Sequence, residues 1–451
     1  MPYPGHRHPV QHRHPAGRVI EVNNDALTAL THTQLDSSTK GIPLGETVTV
    51  AEIGQRGWNV ARGDLALPVT TLRSGAITHN LEVMAEYCRR HNALFAPHGK
   101  TTMSPQLFRR QIDAGAWAMT AATPSQASVM RKFGVTRVIV ANELVDRAAL
   151  AWAAREMAAD PDFELYSLVD NADAVAAADH VLAELGTTVT LKVFLEVGVA
   201  GGRAGVRSEQ EAVAVAEAVA AARHFELVGL ETYEGLVTGG DRPEDFAALD
   251  AHFDRVRHWM TVLNERQLLT ADQVFVTAGG SSYFDRVVAK LGDWSDFPRR
   301  VRLILRSGCY ISHDAGKYHK LSPLDGRRAE NEDLRLVNAL ESWASVLSTP
   351  EPGIAILSTG KRDVAHDLSL PTPIRVHHRD GSVTDLAREG VEIYKLMDQH
   401  AFLRIPPGVS LSPGDIVVSG LSHPCTAFDK CRFLPLIDDE YTVDGAVLTF
   451  F

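Results

Sequence analysis

Residues 93–134 read ALFAPHGKTTMSPQLFRRQIDAGAWAMTAATPSQASVMRKFG, and the alternation within them decides the fold. Two apolar runs, ALFAPHGK and AWAMTAAT, read as strands of the kind buried on both faces. Each is followed by a helical pattern, SPQLFRRQIDAG and PSQASVMRKFG. Strand, helix, strand in this order predicts parallel neighbours joined by crossover helices. The pattern continues through RVIVANEL, ELYSLVD, TLKVFLEVG, ELVGLETYEG, QVFVTAGG and VRLILRSG. Eight β units in roughly 220 to 250 residues predict a (β/α)8 barrel. An open doubly wound sheet stays as the alternative, because closure is not written in the sequence.

Working outward, LALPVTTLR precedes the barrel as a further strand. After it comes SGAITHNLEVMAEYCRRHN, where Ser74 is a candidate N-cap and Ile77, Leu81, Met84 and Cys88 recur at helical spacing. Earlier still, TVAEIGQRGWNV is a candidate short helix. After Gly308 the alternation stops. ISHDAGKYHKLSPLDGRRAENEDLR is a polar connection, and the remainder breaks into short strands between turns, which predicts a C-terminal all-β domain. The strand near Val69 is a candidate to join it. The expected division is a disordered Pro/His-rich tail at 1–17, an N-terminal extension at 18–66, the barrel at 67–310 and the β domain at 311–451.

The 451 residues are too many for one ordinary core, which agrees with two domains. A hydrophobic content of 45% with 22% charged residues fits a soluble globular chain. The net charge of -11 argues against a nucleic-acid partner, which calls for a basic face. No run has the length of a membrane span. Cys88, Cys309, Cys425 and Cys431 are too sparse for a disulfide framework, so the expected compartment is reducing and cytoplasmic. His6, His8, His12 and His14 sit in the tail, where adventitious metal capture is the most they offer.

Reactive groups of such a barrel project from the C-terminal ends of its strands. Lys100 stands at the end of the first. A sheltered amine there suits Schiff-base chemistry; a solvated strand cap is the plain alternative. The seventh strand ends in Gly279, Gly280 and Ser281, and the eighth in Gly308, Cys309 and Tyr310. Those two loops are where barrels hold phosphate, and glycine lets backbone N–H groups approach an anion. A phosphate together with an aldehyde-capturing lysine describes pyridoxal 5′-phosphate (PLP). Near the C-terminus, SGLSHPCTAFDKC places His423 and Cys425 two apart. In an extended segment both project to one side, and imidazole with thiolate suits zinc. A structural loop is the competing account.

PHGKT, TAATPSQA, EVGVAGGRAGV, YEG, TAGGSS, LRSGCY, DQH and SHPCTAFDK together resemble the D-threonine aldolase and D-serine dehydratase family of PLP enzymes, with an alanine-racemase-type barrel. The resemblance spans roughly residues 66 to 451, and the C-terminal tail is most similar to bacterial amino acid deaminases. It implies that Lys100 binds the cofactor and that Gly279, Gly280, Ser281, Gly308, Cys309 and Tyr310 surround its phosphate. Tyr233 would line the ring, Arg203 would lie near it, and His423 and Cys425 would be the metal ligands. Cysteine at 425, where the aldolases carry aspartate, is the dehydratase pattern and favours zinc over manganese or magnesium. His400 matches a family histidine, and its alternative is packing between domains. Two departures stand out: the first 65 residues exceed the compact members, and Thr102 stands where a histidine is usual.

The expected activity is a PLP- and zinc-dependent dehydratase of D-serine or a related D-3-hydroxy amino acid, acting as a homodimer. A retro-aldol lyase and a non-catalytic PLP carrier are the alternatives.

Overall fold

The computed structural model describes residues 24–328, 333–387 and 389–451, so the tail expected at 1–17 lies outside them. Strands Leu94–Phe95, Met119–Ala121, Arg137–Glu143, Glu164–Val169, Leu191–Val197, Phe225–Thr232, Gln273–Ala278 and Arg300–Leu305 form one eight-stranded sheet. From the second to the eighth, each pairs in parallel with the next, and the eighth pairs with the first. The ring closes between first and second. There His98 bridges Thr120, and the amides of Trp117 and Thr120 donate to the carbonyls of Phe95 and Pro97 at 2.7 and 2.9 Å. The expected barrel is thus a closed one.

Aromatic side chains fill its interior. Tyr166 stacks on Phe194 at 5.8 Å between ring centroids, and Trp117 tilts against Phe275 at 5.4 Å. The crossover helices begin at short polar caps. Asp146 accepts from the Ala149 amide at 2.9 Å, Asn171 from Ala174 at 2.9 Å, and Ser208 forms a capping box with Glu211. Each cap satisfies an otherwise orphaned helix amide and keeps the turn above its strand short. Side chains at the C-terminal rim are therefore carried on constrained loops.

The C-terminal sheet is antiparallel for the most part and centres on Leu340–Glu351. That strand pairs with Ile354–Leu357, with Ile416–Gly420 and with Val69–Arg73. The strand near Val69 thus hydrogen-bonds into the β domain, although it precedes the barrel in the chain. Trp343, fully buried, donates from its indole to Thr71 Oγ1 at 2.9 Å and pins this junction. The extension also packs here. Its hairpin, Gln34–Asp36 with Thr47–Thr49, and Ile53 share a core with Trp343, Val418 and Phe433. The short helix expected at 49–60 is a 3-10 helix, Val50–Gln55. Among the described residues no helix is long and apolar enough to cross a membrane.

Candidate active site

Lys100 lies in a single 3-10 turn, Gly99–Thr101, five residues past the end of regular pairing. The backbone between stays tied to its neighbour: the amides of Ala96 and His98 donate to the carbonyls of Leu305 and Arg306 at 2.8 and 3.1 Å. The lysine therefore still emerges at the barrel mouth. Gly99 makes the turn possible, since a Cβ there would stand 2.4 Å from Met130 Cε. No described residue hydrogen-bonds or ion-pairs the Lys100 amine, which leaves it available to a ligand.

The seventh and eighth strand ends close around this turn. Cys309 donates its amide to Ser281 Oγ at 3.4 Å, and Ser307 Oγ donates to the Gly280 carbonyl at 2.5 Å. A Cβ on Gly308 would stand 2.5 Å from the His98 carbonyl oxygen. One on Gly279 would stand 2.7 Å from Arg306 Nη2, and one on Gly280 only 1.9 Å from Glu234 Oε1. These glycines are what let the loops approach so closely. Tyr233 follows the sixth strand, with the exposed Arg203 guanidinium 4.9 Å from its ring centre. Burial pushes the Tyr233 phenol up to about 12. Tyr310 turns the other way: its ring lies edge-on to Phe95 and its hydroxyl accepts from Gln111 at 3.2 Å inside the core.

Beneath the mouth lies a polar floor. Arg306 donates to Glu231 Oε1 and to the Thr232 carbonyl, and both side chains of the pair are 3% exposed. Burial pulls Arg306 down to about 10, and burial pushes Glu234 up to about 7. Burial, reinforced by Lys100 and Arg306, holds His98 well below the usual imidazole range, so it is neutral. His98 Nδ1, Arg306 Nε, Glu231 Oε2 and both Glu234 oxygens are buried without a partner. Orphaned polar atoms in this number call for an explanation. A polar ligand that both donates and accepts hydrogen bonds is the kind of molecule this floor fits.

The β domain delivers the other wall. His423 and Cys425 meet there, though not by strand alternation. His423 adopts the left-handed conformation, φ 60°, and Cys425 is the second residue of a short helix, Pro424–Phe428. Asp314 Oδ2 accepts the His423 amide at 3.0 Å, while His423 Nδ1 is engaged by Asp367. That engagement leaves Nε2 for the hydrogen bond with Cys425, and a histidine held by a carboxylate in this way is the arrangement typical of metal ligands. Cys425 Sγ stands 3.3 Å from Thr101 Oγ1 and 3.7 Å from Cys309 Sγ. The hydrogen bond from Cys309 holds Cys425 well below the usual thiol range, and His423 and Thr101 assist against the cost of burial. The same contact with Cys425 drives Cys309 upward. His423 rises to about 9, first through Cys425 and then, against burial, through Asp367. A thiolate and an imidazole beside the Lys100 turn make a donor set that fits a borderline-soft divalent ion. His400 is exposed in the hairpin turn between Glu392–Leu396 and Ala401–Arg404, and Thr102 is buried with Oγ1 accepting from the Ser104 amide.

The alanine racemase N-terminal domain family matches residues 72–294, and the serine dehydratase domain family matches residues 339–437. The chain thus joins an alanine racemase-type N-terminal domain to a serine dehydratase-type domain, and it is similar to D-3-hydroxy amino acid lyases over most of its length. A 3-hydroxy-D-aspartate aldolase of Paracoccus denitrificans is 27% identical over 352 residues, covering 77% of this chain and 82% of the relative. A D-threonine aldolase of an Arthrobacter species is 24% identical over 357 residues, with 78% and 83% covered. The fold also matches the D-threonine aldolase structure from Filomicrobium marinum, with a TM-score of 0.72, 23% identity and 87% and 97% coverage. For the D-threo-3-hydroxyaspartate dehydratase of a Delftia species the TM-score is 0.68 at 18% identity, with 86% and 98% covered.

Several participants escaped the sequence reading. Arg306 lies inside the quoted LRSGCY, but nothing in the motif announces its partner Glu231, 75 positions earlier. Asp367 and Asp314 carry no local signal at all. Glu234 sits in YEG, and only its complete burial singles it out.

Proposed function

We propose that this protein is a PLP- and zinc-dependent dehydratase that converts D-serine or a related D-3-hydroxy amino acid to a 2-oxo acid and ammonia. The observation that carries this reading is the meeting of Cys425 Sγ with Thr101 Oγ1 at 3.3 Å. It sets the His423–Cys425 pair beside the residue that follows Lys100. Lys100, Gly279, Gly280, Ser281, Gly308 and Cys309 would hold the cofactor, with Tyr233 and Arg203 flanking it; His423 and Cys425 would hold the metal. When bound, PLP supplies an electron sink for Cα and the metal supplies Lewis acidity toward the substrate β-oxygen.

The chain's own residues then have separable tasks. The Lys100 amine takes the Cα proton, since it is the unpaired base at the mouth. His98 and the Arg306–Glu231 pair keep the floor polar. Asp367 and Asp314 fix the His423 ring and backbone. The glycine turns bring backbone amides close to the phosphate site.

The names of the sequence relatives favour a second reading, retro-aldol cleavage to glycine and an aldehyde. Cys425 favours dehydration, because thiolate ligation selects zinc over harder ions. Incubation with D-serine, D-threonine and D-threo-3-hydroxyaspartate separates the two. Oxo acid and ammonia are expected; glycine as the main product overturns the dehydratase. We also propose a homodimer, in which the partner closes the open mouth. Sedimentation at dilute, active concentrations checks this, and a species of only 49.2 kDa contradicts it.

A further inference from the structure

The connection leaving the barrel carries little regular structure. Between the 3-10 turn Cys309–Ile311 and the strand beginning at Leu340, its described part contains one five-residue helix, Lys317–Leu321. Long irregular connections of this kind are uncommon and need ties of their own. Three of its side chains converge: His313, His319 and Asp325, with one ligand atom from each all within 4.8 Å of the others. Among the described residues this is the one group of three or more metal-competent side chains that meets this spacing. His313 Nε2 and His319 Nδ1 both face the same oxygen, Asp325 Oδ2, at 2.8 and 2.7 Å. The side chains of His313 and Asp325 are 2% and 6% exposed, while His319 is 52% exposed.

We propose that His313, His319 and Asp325 form a second divalent-metal site, of the zinc class, separate from His423 and Cys425. Two imidazoles and one carboxylate are a borderline donor set. They suit zinc, cobalt, nickel or iron(II) and not calcium or magnesium, which take oxygen. Two buried donors fix the site, and the third, at the surface, provides the entry path and leaves a coordination position to water. Without an ion both rings direct an N–H at one oxygen, while the other oxygen faces Arg335 at 3.5 Å. An ion between the three donors uses both ring nitrogens as lone-pair ligands instead.

The site has a consequence for the mouth. Asp314, next to His313, accepts from the amides of Gly316, Tyr318 and His319 with one oxygen and from the His423 amide with the other. Fixing His313 and His319 thus orders the carboxylate that holds the His423 backbone. An ion that binds the folded loop and not the unfolded chain adds stability that grows with the logarithm of its concentration over its dissociation constant. The role is positional; none of the three side chains is placed against substrate.

Cobalt(II) titration of the full-length protein, stripped of metal by chelator, tests this. All proteins compared have His6, His8, His12 and His14 replaced by asparagine, so that the tail cannot bind the probe. The parent is expected to bind two cobalt ions per chain, one with intense thiolate-to-cobalt absorption and one without. His319→Gln and Asp325→Asn should each reduce the count from two to one and keep the thiolate band. Cys425→Ala should reduce it to one and abolish the band. The inference is overturned if the parent binds a single ion that carries the thiolate band. It is also overturned if His319→Gln and Asp325→Asn both bind as much cobalt as the parent. A parent that binds one ion without the band, lost in His319→Gln, supports this site and instead removes the metal from the proposed reaction. Should Asp325→Asn fold poorly, zinc-induced rise of the melting temperature in Cys425→Ala, absent in the Cys425→Ala, His319→Gln double variant, is the supporting result. No rise in Cys425→Ala counts against it.

Discussion

The two walls of the mouth are held by different physics. On the barrel wall, Lys100 and the glycine turns hang from a closed sheet whose neighbours are set by backbone pairing. On the β-domain wall, His423 and Cys425 hang from a loop that side chains hold: Asp314, Asp367 and Thr101, drawn from places 56 to 324 residues apart from their partners. A backbone-built wall tolerates loss of any one side chain in shape. A side-chain-built wall depends on each of its ties. Five substitutions probe that difference.

The largest effect belongs to Lys100→Ala. Turnover should fall by about 10^4-fold or more, because the amine that would hold the cofactor and take the Cα proton is gone. Borohydride should no longer trap the cofactor on the chain; full trapping at unchanged occupancy would break the barrel half of the comparison.

His423→Ala or Cys425→Ala should come next. Metal should be lost and oxo-acid release should drop by about 10^3-fold, several kcal/mol in the barrier. Cofactor absorbance and solvent exchange of the Cα hydrogen of D-serine should persist, because Lys100 and the glycine turns lie on the other wall. Metal content, an absorbance spectrum and proton exchange by NMR check all three. Full dehydration without metal would reduce SHPC to a structural loop.

Glu234→Gln sharpens the barrel side through pH. Burial raises this carboxyl to about 7 in the folded chain from an ordinary value of 4.5. Between those values the folded state binds more protons than the unfolded state, so stability falls as pH rises and the loss is complete above about 7. Relative to the glutamine variant, the wild type should lose roughly 3 kcal/mol across that window. Denaturant unfolding at pH 5 and pH 8 measures it, and parallel pH curves for the two proteins would refute the burial argument.

Asp367→Asn should have the smallest effect. The ring of His423 loses its carboxylate partner but keeps Asp314 on its backbone, so metal affinity should weaken by about 10- to 100-fold. Metal-buffer titration reads this directly. An unchanged affinity would mean that backbone ties alone set the β-domain wall, erasing the contrast.

The legibility of the two walls differs for the same reason. Parallel strands buried on both faces leave continuous apolar runs, and those runs located each barrel strand together with the residues at its end. Lys100 was displaced only slightly from the expected strand end, because its turn is a 3-10 one rather than an extension of the strand. The His423–Cys425 pair was noticed through residue type, but the expected extended spacing is not how they meet. A left-handed residue followed by Pro424 at a helix start brings them together, and no period announces that.

What the sequence by itself determined is local and periodic: eight βα units, a following β-rich segment, and the residue types that suit Schiff-base and metal chemistry. Tertiary structure alone decided closure of the barrel at His98 and Thr120, and the entry of Val69–Arg73 into the distant sheet. It also decided the pairing of Arg306 with Glu231, and the arrival of Cys425 beside Thr101. The physical reason is range. Hydrophobic periodicity is set by neighbours a few residues away and is written in the chain. Hydrogen bonds and ion pairs between residues tens or hundreds of positions apart exist only once the core has fixed where each backbone segment lies.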